Sequence, residues 1–298
     1  MLRFRVLALS TAFLAGPFLS TARVVQAHDA PQVVSAAWLA DHLKDRNLVL
    51  LHVGEKAGYD AGHIPGAQYI ALADISTPRG EGLTLELPPV ERLEVVLEGL
   101  GISDDSRIVV YYGKDWVSPA TRVIFTLDSL GLGGRTSLLD GGMPAWVANG
   151  QPTSAESGTP AKGSLTPRAQ ATTVDGAWMD ANLGKPGHVV VDARNVEFYT
   201  GAKAGGRPER NGHIPGAVSI PFDSLLTDAP RFKPERELRA AFAAAGVKDG
   251  DRVVAYCHIG QQATVVYVAA RVLGYPVVLY DGSFEDWSAR GKPVEAAK

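Results

Sequence analysis

The sequence is poor in cysteine: Cys257 is the only one in 298 residues. A single cysteine excludes an internal disulfide and any zinc site built from several cysteines. The chain also lacks an excess of charge, since its net charge is −3. It therefore has no overall basic character of the kind that binds nucleic acid or an anionic membrane, and neither partner is expected. Hydrophobic residues make up 46% of the chain, which is enough for ordinary globular domains.

Long hydrophobic runs are scarce as well, and the first one lies at the N-terminus. Arg3 and Arg5 precede a mostly apolar run over residues 6–19, and Val-Gln-Ala at 25–27 resembles a small-residue cleavage site. This order is typical of a secretory signal peptide over residues 1–27, because the run is short for a membrane span. An uncleaved N-terminal anchor is the alternative. We expect a periplasmic or secreted protein that leaves the membrane after cleavage.

The residues around Cys257 predict a strand, a tight turn and a helix. Residues 253–256 are apolar or β-favouring, and residues 263–273 predict a helix that ends at Gly274. Backbone N–H groups and the positive end of the helix dipole at such a turn favour an anionic sulfur, the reactive form of cysteine. The pattern therefore predicts a nucleophile, although a lone cysteine is also often a small buried core residue.

An internal repeat organises the chain. The hexapeptide Gly-His-Ile-Pro-Gly-Ala occurs at residues 62–67 and again at 212–217, and residues 107–112 match residues 252–257. This register defines two units of about 120 residues, in each of which predicted strands alternate with predicted helices. Such alternation predicts an α/β fold with a mostly parallel sheet, flanked by helices, in each unit.

These signals divide the chain into four segments. The stretch between the two units is rich in Pro, Ser, Thr, Gly and Ala and lacks periodicity, which is typical of a linker. The predicted boundaries are 1–27 for the signal peptide, 28–152 for the first domain, 153–172 for the linker and 173–298 for the second domain. Because a duplicated chain contains its own domain interface, it can be complete as a monomer.

The order of these motifs resembles the rhodanese, or sulfurtransferase, family in its tandem two-domain form. The resemblance implies two rhodanese-like α/β domains, of which only the second keeps the cysteine. Tyr112 stands at the position of Cys257 in the first repeat, which fits that pattern. The residues that carry the resemblance are Asp192, Ala193 and Arg194, the turn at 212–217, the loop after Cys257, and Asp281, Gly282 and Trp287.

The resemblance implies a transferase of the thiosulfate sulfurtransferase type. The Cys257 thiolate takes the outer sulfur of a small-molecule donor, forms a persulfide, and passes the sulfur to cyanide or a thiol. This scheme needs no metal ion and no cofactor. Inward-pointing backbone N–H groups would hold both anionic forms of the sulfur. The residues expected to contribute them are His258, Ile259, Gly260, Gln261, Gln262 and Ala263.

Three side chains are predicted to bind the donor: Arg194, His258 and Gln262. Arg194 matches the substrate-binding arginine of the family, and its guanidinium suits a sulfonate or carboxylate group. An ion pair with Asp192 or Glu197 is the alternative for this arginine. The mercaptopyruvate enzymes of the family have a second arginine where this chain has Glu197. We therefore expect thiosulfate as the donor, with 3-mercaptopyruvate as the alternative.

Other functions fit parts of this pattern. Cysteine phosphatases of related fold have a loop one residue longer that ends in arginine, whereas residue 262 is glutamine here, which disfavours phosphate. A persulfide carrier that delivers sulfur to a protein partner and a structural protein with an inert thiol are the other interpretations. His63 and His213 repeat in both units and are expected to fix a turn. His52 and residues 113–119 receive no predicted role.

Overall fold

The computed structural model describes residues 30–78, 80–114 and 116–296. The predicted signal peptide lies outside the described residues. Within them, no helix combines the length and the apolar character that crossing a membrane requires.

Two similar sets of strands and helices follow each other along the chain. The first set comprises β1 (Val33–Val34), α1 (Ala36–His42), β2 (Leu48–Val53), α2 (Lys56–Ala61), β3 (Gln68–Ile70), α3 (Val90–Gly99), β4 (Arg107–Tyr112), α4 (Ser118–Ser129), β5 (Thr136–Leu139) and α5 (Gly142–Ala148). The second set comprises β6 (Thr173–Val174), α6 (Gly176–Asn182), β7 (His188–Asp192), α7 (Val196–Tyr199), β8 (Ala204–Gly205), β9 (Arg210–Asn211), β10 (Val218–Ser219), α8 (Glu235–Ala244), β11 (Arg252–Tyr256), α9 (Ala263–Val272), β12 (Val277–Tyr280) and α10 (Ser283–Ala289).

Five strands of each set form one sheet in which all pairs are parallel, whereas β8 and β9 form a separate two-stranded sheet. The strand order is β1-β5-β4-β2-β3 in the first sheet and β6-β12-β11-β7-β10 in the second. The two orders correspond strand by strand, so the repeat in the sequence is also a repeat of topology. The expected fold class, two α/β units with parallel sheets flanked by helices, is confirmed.

The two faces of each sheet pack into different hydrophobic clusters. In β11, Val253 and Ala255 belong to a large cluster that includes residues of both domains, whereas Val254 and Tyr256 belong to an outer cluster. Side chains alternate between faces along a strand. Cys257 follows β11 in the same alternation and belongs to the cluster shared by the two domains.

The two domains meet through α4 and α9. The rings of Phe125 and Tyr267 lie edge to face, with their centroids 5.1 Å apart. The hydroxyl of Tyr267 donates to Asp128 at 2.5 Å, and the hydroxyl oxygens of Thr121 and Thr264 lie 2.7 Å apart. Because apolar packing and buried hydrogen bonds occur side by side, the first domain holds the beginning of α9 in place.

His63 and His213 of the repeated turn have the structural role that the sequence predicts for them. The ring of His63 stacks on Tyr59, and its Nδ1 lies 2.8 Å from the carbonyl oxygen of that tyrosine. His213 makes the same two contacts with Tyr199, at 2.7 Å for the hydrogen bond. Both histidines therefore fix the chain where it approaches β3 and β10.

One segment departs from the repeat. Residues 195–211 of the second domain correspond to residues 55–61 of the first. Part of the longer segment forms the antiparallel pair β8 and β9, which the sequence analysis did not predict. A Cβ added to Gly205 would lie 3.2 Å from the ring of His258 and from Nη1 of Arg194. The hairpin therefore packs directly on the predicted site.

Candidate active site

Cys257 follows the central strand of the second sheet, at the carboxyl edge where open α/β sheets hold their sites. Its N–H group donates to Oγ of Ser283 at 3.2 Å, and its carbonyl oxygen accepts from the N–H of Phe284 at 3.0 Å. These bonds tie the backbone of the cysteine to the beginning of α10. The side chain is 1% exposed, so a donor reaches the thiol only when neighbouring side chains move.

The loop after Cys257 offers a run of backbone donors. Among the described residues, the N–H groups of residues 258–263 have no hydrogen-bond partner. Backbone N–H groups in folded proteins are normally paired, so consecutive unpaired groups at one turn are typical of an anion site. The ten-residue helix α9 begins at Ala263 and adds the positive end of its dipole. The loop can therefore stabilise a negative charge on the sulfur.

Gly260 is required by the shape of this loop. Its φ is +79°, a conformation that residues with a Cβ adopt at a cost. A Cβ at this position would also lie 2.8 Å from the carbonyl oxygen of Asp281 and 3.0 Å from Nη1 of Arg122. Both backbone conformation and space therefore require glycine here.

Arg122 of the first domain holds the same loop from the opposite side. Its side chain is fully buried. Nη1 donates to the carbonyl oxygen of Gly260 at 3.1 Å and to Oδ1 of Asp281 at 2.6 Å, and Nη2 donates to the carbonyl oxygen of Leu85. The first domain thus contributes directly to the position of the loop that surrounds the cysteine.

The sequence analysis missed these supporting residues, Arg122, Ser118 and Ser283. Ser118 Oγ accepts from Nε2 of Gln261 at 3.0 Å, so the side chain of Gln261 is engaged at the domain interface. One signal was present in the sequence. Arg122 is the only charged residue between Ser118 and Leu127 of α4, where its neighbours are mostly apolar.

Arg194 is buried and mainly paired within the fold. Its Nε and Nη2 donate to the carboxylate of Asp192, with a shortest distance of 2.6 Å, and Nη2 also donates to the carbonyl oxygen of Gly212. The guanidinium lies 4.0 Å from the ring centroid of Phe284. Only Nη1 has no partner among the described residues. The ion pair considered for this arginine is therefore present, and one nitrogen remains for a ligand.

His258 and Gln262 lie on the cysteine loop itself. The ring of His258 packs edge to face on Phe198, with centroids 4.5 Å apart. Burial, together with the positive charge of Arg194, lowers the pKa of His258 to about 4. The ring is therefore neutral near pH 7 and supplies no cation to a donor. Oε1 of Gln262 is buried without a hydrogen-bond partner among the described residues. As a carbonyl oxygen it can accept a hydrogen bond from a ligand but cannot donate one to the oxygens of thiosulfate.

The buried His258 is expected to make the fold sensitive to acid. Its folded-state pKa of about 4 lies below its ordinary value of 6.5, so the unfolded chain takes up the proton first. Stability is then lost as the pH falls from 6.5 to 4, by up to about 1.4 kcal/mol per pH unit. We expect His258→Gln to reduce this loss, measured by urea unfolding at pH 7 and pH 4.5. His42→Gln, on α1, is the control, and an equal loss in wild type and His258→Gln would contradict the assignment.

The first domain has no nucleophile at the corresponding place. Tyr112 occupies the position that corresponds to Cys257 in the repeat. Its hydroxyl donates to the carbonyl oxygen of Pro230 at 2.8 Å. Within residues 30–78, 80–114 and 116–296, no cluster of three or more His, Cys, Asp or Glu side chains is arranged to hold a metal ion. The geometry of the loop after Cys257 supports a cysteine nucleophile whose charge is stabilised by backbone N–H groups.

Comparisons with known proteins show which family and which named proteins the chain is similar to. A family model described as "Rhodanese-like domain" matches residues 35–149 and 175–290. "Thiosulfate sulfurtransferase" from Azotobacter vinelandii is 30% identical over 272 residues, which cover 89% of this chain and 97% of that protein. "Probable 3-mercaptopyruvate sulfurtransferase" from Pseudomonas aeruginosa is 32% identical over 270 residues, covering 86% and 94%. The crystal structure of SseA from Escherichia coli, described among 3-mercaptopyruvate sulfotransferases, has a TM-score of 0.76 and 26% identity, covering 85% of this chain and 99% of that one.

Proposed function

The chain belongs to the rhodanese family, and we propose that it is an exported enzyme that moves a sulfane sulfur from thiosulfate, through a Cys257 persulfide, to cyanide or a thiol. It is a sulfurtransferase of the thiosulfate or 3-mercaptopyruvate type. Our proposal concerns four points: the donor, the acceptor, the persulfide on Cys257 and the export of the protein. The observation that carries the proposal is the run of N–H groups over residues 258–263 that have no hydrogen-bond partner in the described part of the structure.

The reaction proceeds in two displacements at sulfur. The deprotonated Sγ of Cys257 attacks the outer sulfur of thiosulfate, the S–S bond of thiosulfate breaks, and sulfite leaves with the electron pair. The N–H groups of residues 258–263 then hold the persulfide anion, as they held the thiolate. Cyanide attacks the outer sulfur of the persulfide, the S–S bond breaks, and thiocyanate leaves. Cys257 returns as a thiolate.

The charges around Arg194 support thiosulfate as the donor. Nη1 is the one guanidinium nitrogen without a partner among the described residues, so it can bind one oxygen of a sulfonate but cannot form a bidentate clamp on a carboxylate. Glu197, which stands where mercaptopyruvate enzymes have a second arginine, forms an ion pair with Lys203. A donor that carries a carboxylate would therefore find no second guanidinium to bind it at that place.

We expect kcat/KM for thiosulfate to exceed that for 3-mercaptopyruvate by at least about tenfold, with cyanide as the common acceptor. Thiocyanate formation measures both rates. Glu197→Arg should raise the rate with 3-mercaptopyruvate selectively, and Glu235→Arg, on the surface of α8, is the matched control for the change of charge. A higher kcat/KM for 3-mercaptopyruvate in the wild-type protein would instead establish the alternative donor.

The same experiment separates a catalyst from a persulfide carrier. Slow turnover with cyanide, combined with rapid transfer of the sulfur to a copurifying protein, would favour a carrier that delivers sulfur to a partner. Export is supported by the pattern of residues 1–27. The mass of the protein recovered from the periplasm or the medium checks it, since cleavage would remove about 27 residues.

A further inference from the structure

A cavity of about 540 Å³ lies in the first domain, at the carboxyl ends of β2 and β4. In the register of the repeat, this is the place that Arg194 and the cysteine loop occupy in the second domain. The sulfur-transfer scheme uses none of the residues around it. The lining includes His52, Gly54, Gly58, Gly113, Trp116 and Met143.

The cavity exists because the first domain lacks two features of the second. Gly54 stands at the position of Arg194, so no guanidinium fills the space beside β2. Residues 55–61 replace the longer segment that forms the hairpin β8–β9. In the second domain, that hairpin packs on the arginine and on His258. The corresponding volume in the first domain is left open.

His52 is the unusual residue of this cavity. It stands at the position of Asp192, whose carboxylate accepts hydrogen bonds from Arg194 and from the hydroxyl of Tyr256. His52 is 1% exposed, and neither of its ring nitrogens has a hydrogen-bond partner among the described residues. Burial, and then the charge of His63, lower the pKa of His52 to about 4, so the ring is neutral near pH 7. An unpartnered buried polar group destabilises a fold, and a ligand that pairs with it removes that penalty.

The other walls favour a flat ring. Trp116 is a large aromatic residue that is 53% exposed, and it lines the cavity together with the thioether of Met143. Aromatic faces and thioethers both pack well against planar rings. Glu55 and Lys114 also line the cavity, and their opposite charges give it no net preference for an ion.

We propose that this cavity binds a small, uncharged, planar heteroaromatic molecule, whose ring packs on Trp116 and whose hydrogen-bonding edge pairs with His52 once neighbouring groups shift to expose the buried imidazole. A charged group beside a neutral, buried imidazole would lose its hydration without gaining a counter-charge. The volume lies within the range of small-molecule sites. Because the site belongs to the first domain and excludes Cys257, it is independent of the proposed sulfur transfer.

Nicotinamide and nicotinate are a matched pair of probes, since they share a pyridine ring and differ in charge. We expect calorimetric titration of the full chain to show nicotinamide binding with a Kd below about 1 mM, an affinity within reach of a ligand of this size. Nicotinate should bind at least about tenfold more weakly because its carboxylate must be desolvated.

Gly58→Leu tests the location of the site. A Cβ on Gly58, in α2, meets no atom within 4 Å, so leucine extends into the cavity without a clash at its base and is the better helix former. Gly99→Leu, in α3, is the matched control, because a Cβ there also meets nothing within 4 Å. We expect nicotinamide affinity to fall at least about tenfold in Gly58→Leu and to stay unchanged in Gly99→Leu. Sulfur transfer should stay at the wild-type rate in both.

His52→Leu separates a binding role from a structural one. Removing an unpartnered buried polar group should leave the unfolding temperature of the free protein unchanged or raise it, while nicotinamide affinity falls. A structural role for the ring would instead lower the unfolding temperature and leave binding unchanged, which would overturn the proposal. The absence of heat with nicotinamide, unchanged binding in Gly58→Leu, or tighter binding of nicotinate would each overturn it as well.

Discussion

Replacement of Cys257 by alanine is expected to abolish sulfur transfer, leaving less than about one-thousandth of the wild-type rate. The substitution removes the only thiol of the chain, so no second cysteine can carry the sulfur. The physical reason is that the transferred atom is bound covalently between the two displacements. The unpartnered N–H groups of residues 258–263 stabilise an anionic sulfur and cannot replace the nucleophile.

Intact-mass spectrometry measures this step directly. After exposure to thiosulfate, the wild-type protein should gain about 32 Da, one sulfur atom, and cyanide should reverse the gain. Cys257→Ala and Cys257→Ser should show no gain, and an unfolding temperature close to that of wild type shows that the loss is chemical. Retained turnover in Cys257→Ala, or the same gain in mass, would remove Cys257 from the mechanism.

Replacement of Arg122 by leucine is expected to lower both the stability and kcat, although this residue belongs to the domain without a nucleophile. Its guanidinium is fully buried and pairs with Asp281, which is itself mostly buried. Removing one partner of a buried ion pair costs about 3–5 kcal/mol in the free energy of unfolding, because the other charge is left uncompensated. The carbonyl group of Gly260 loses its hydrogen bond at the same time, so the cysteine loop loses its anchor to the first domain.

A double variant distinguishes the two effects. In Arg122→Leu with Asp281→Asn, no unpaired charge remains, so urea unfolding should show that much of the lost stability returns. The kcat for thiosulfate should stay low, because Gly260 is still without its partner. Arg239→Leu, which breaks a surface pair with Glu235, is the control and should change neither stability nor kcat measurably. A kcat that recovers together with stability in the double variant would show that Arg122 serves the fold alone.

Much of the second-domain site could be predicted from local sequence. The apolar residues before Cys257 and the helix after Gln262 lie where the pattern placed them, as β11 and α9. The periodicity of apolar residues indicates which face of a strand or helix is buried within a short segment. Because the sequence is repeated, an element predicted in one domain is also predicted at the matching place in the other. The position of Cys257 at the carboxyl end of a central strand follows from these local rules.

Neither the hairpin β8–β9 nor the ion pair of Arg194 could be predicted from local sequence. The segment at residues 195–211 has no counterpart in the first repeat and no clear alternation, so the pattern did not indicate that it would pack on His258. For Arg194, ligand binding and an ion pair with Asp192 were both compatible with the sequence. Burial decided between them for most of the guanidinium, since a buried charge requires a counter-charge close by.

The sequence alone thus determined the duplication, the parallel α/β topology and the strand-to-helix turn that holds Cys257, because each is visible in short segments of the chain or in the match of one segment with another. Only the tertiary structure decided which residues support that turn from outside. Arg122 and Gly260 are 138 positions apart, and the ring nitrogens of His52 have no hydrogen-bond partner within the described part of the chain. The first arises because α4 packs against α9, and the second because the first-domain cavity has Gly54 where the second domain has Arg194. No local pattern of hydrophobic and polar residues encodes either of them.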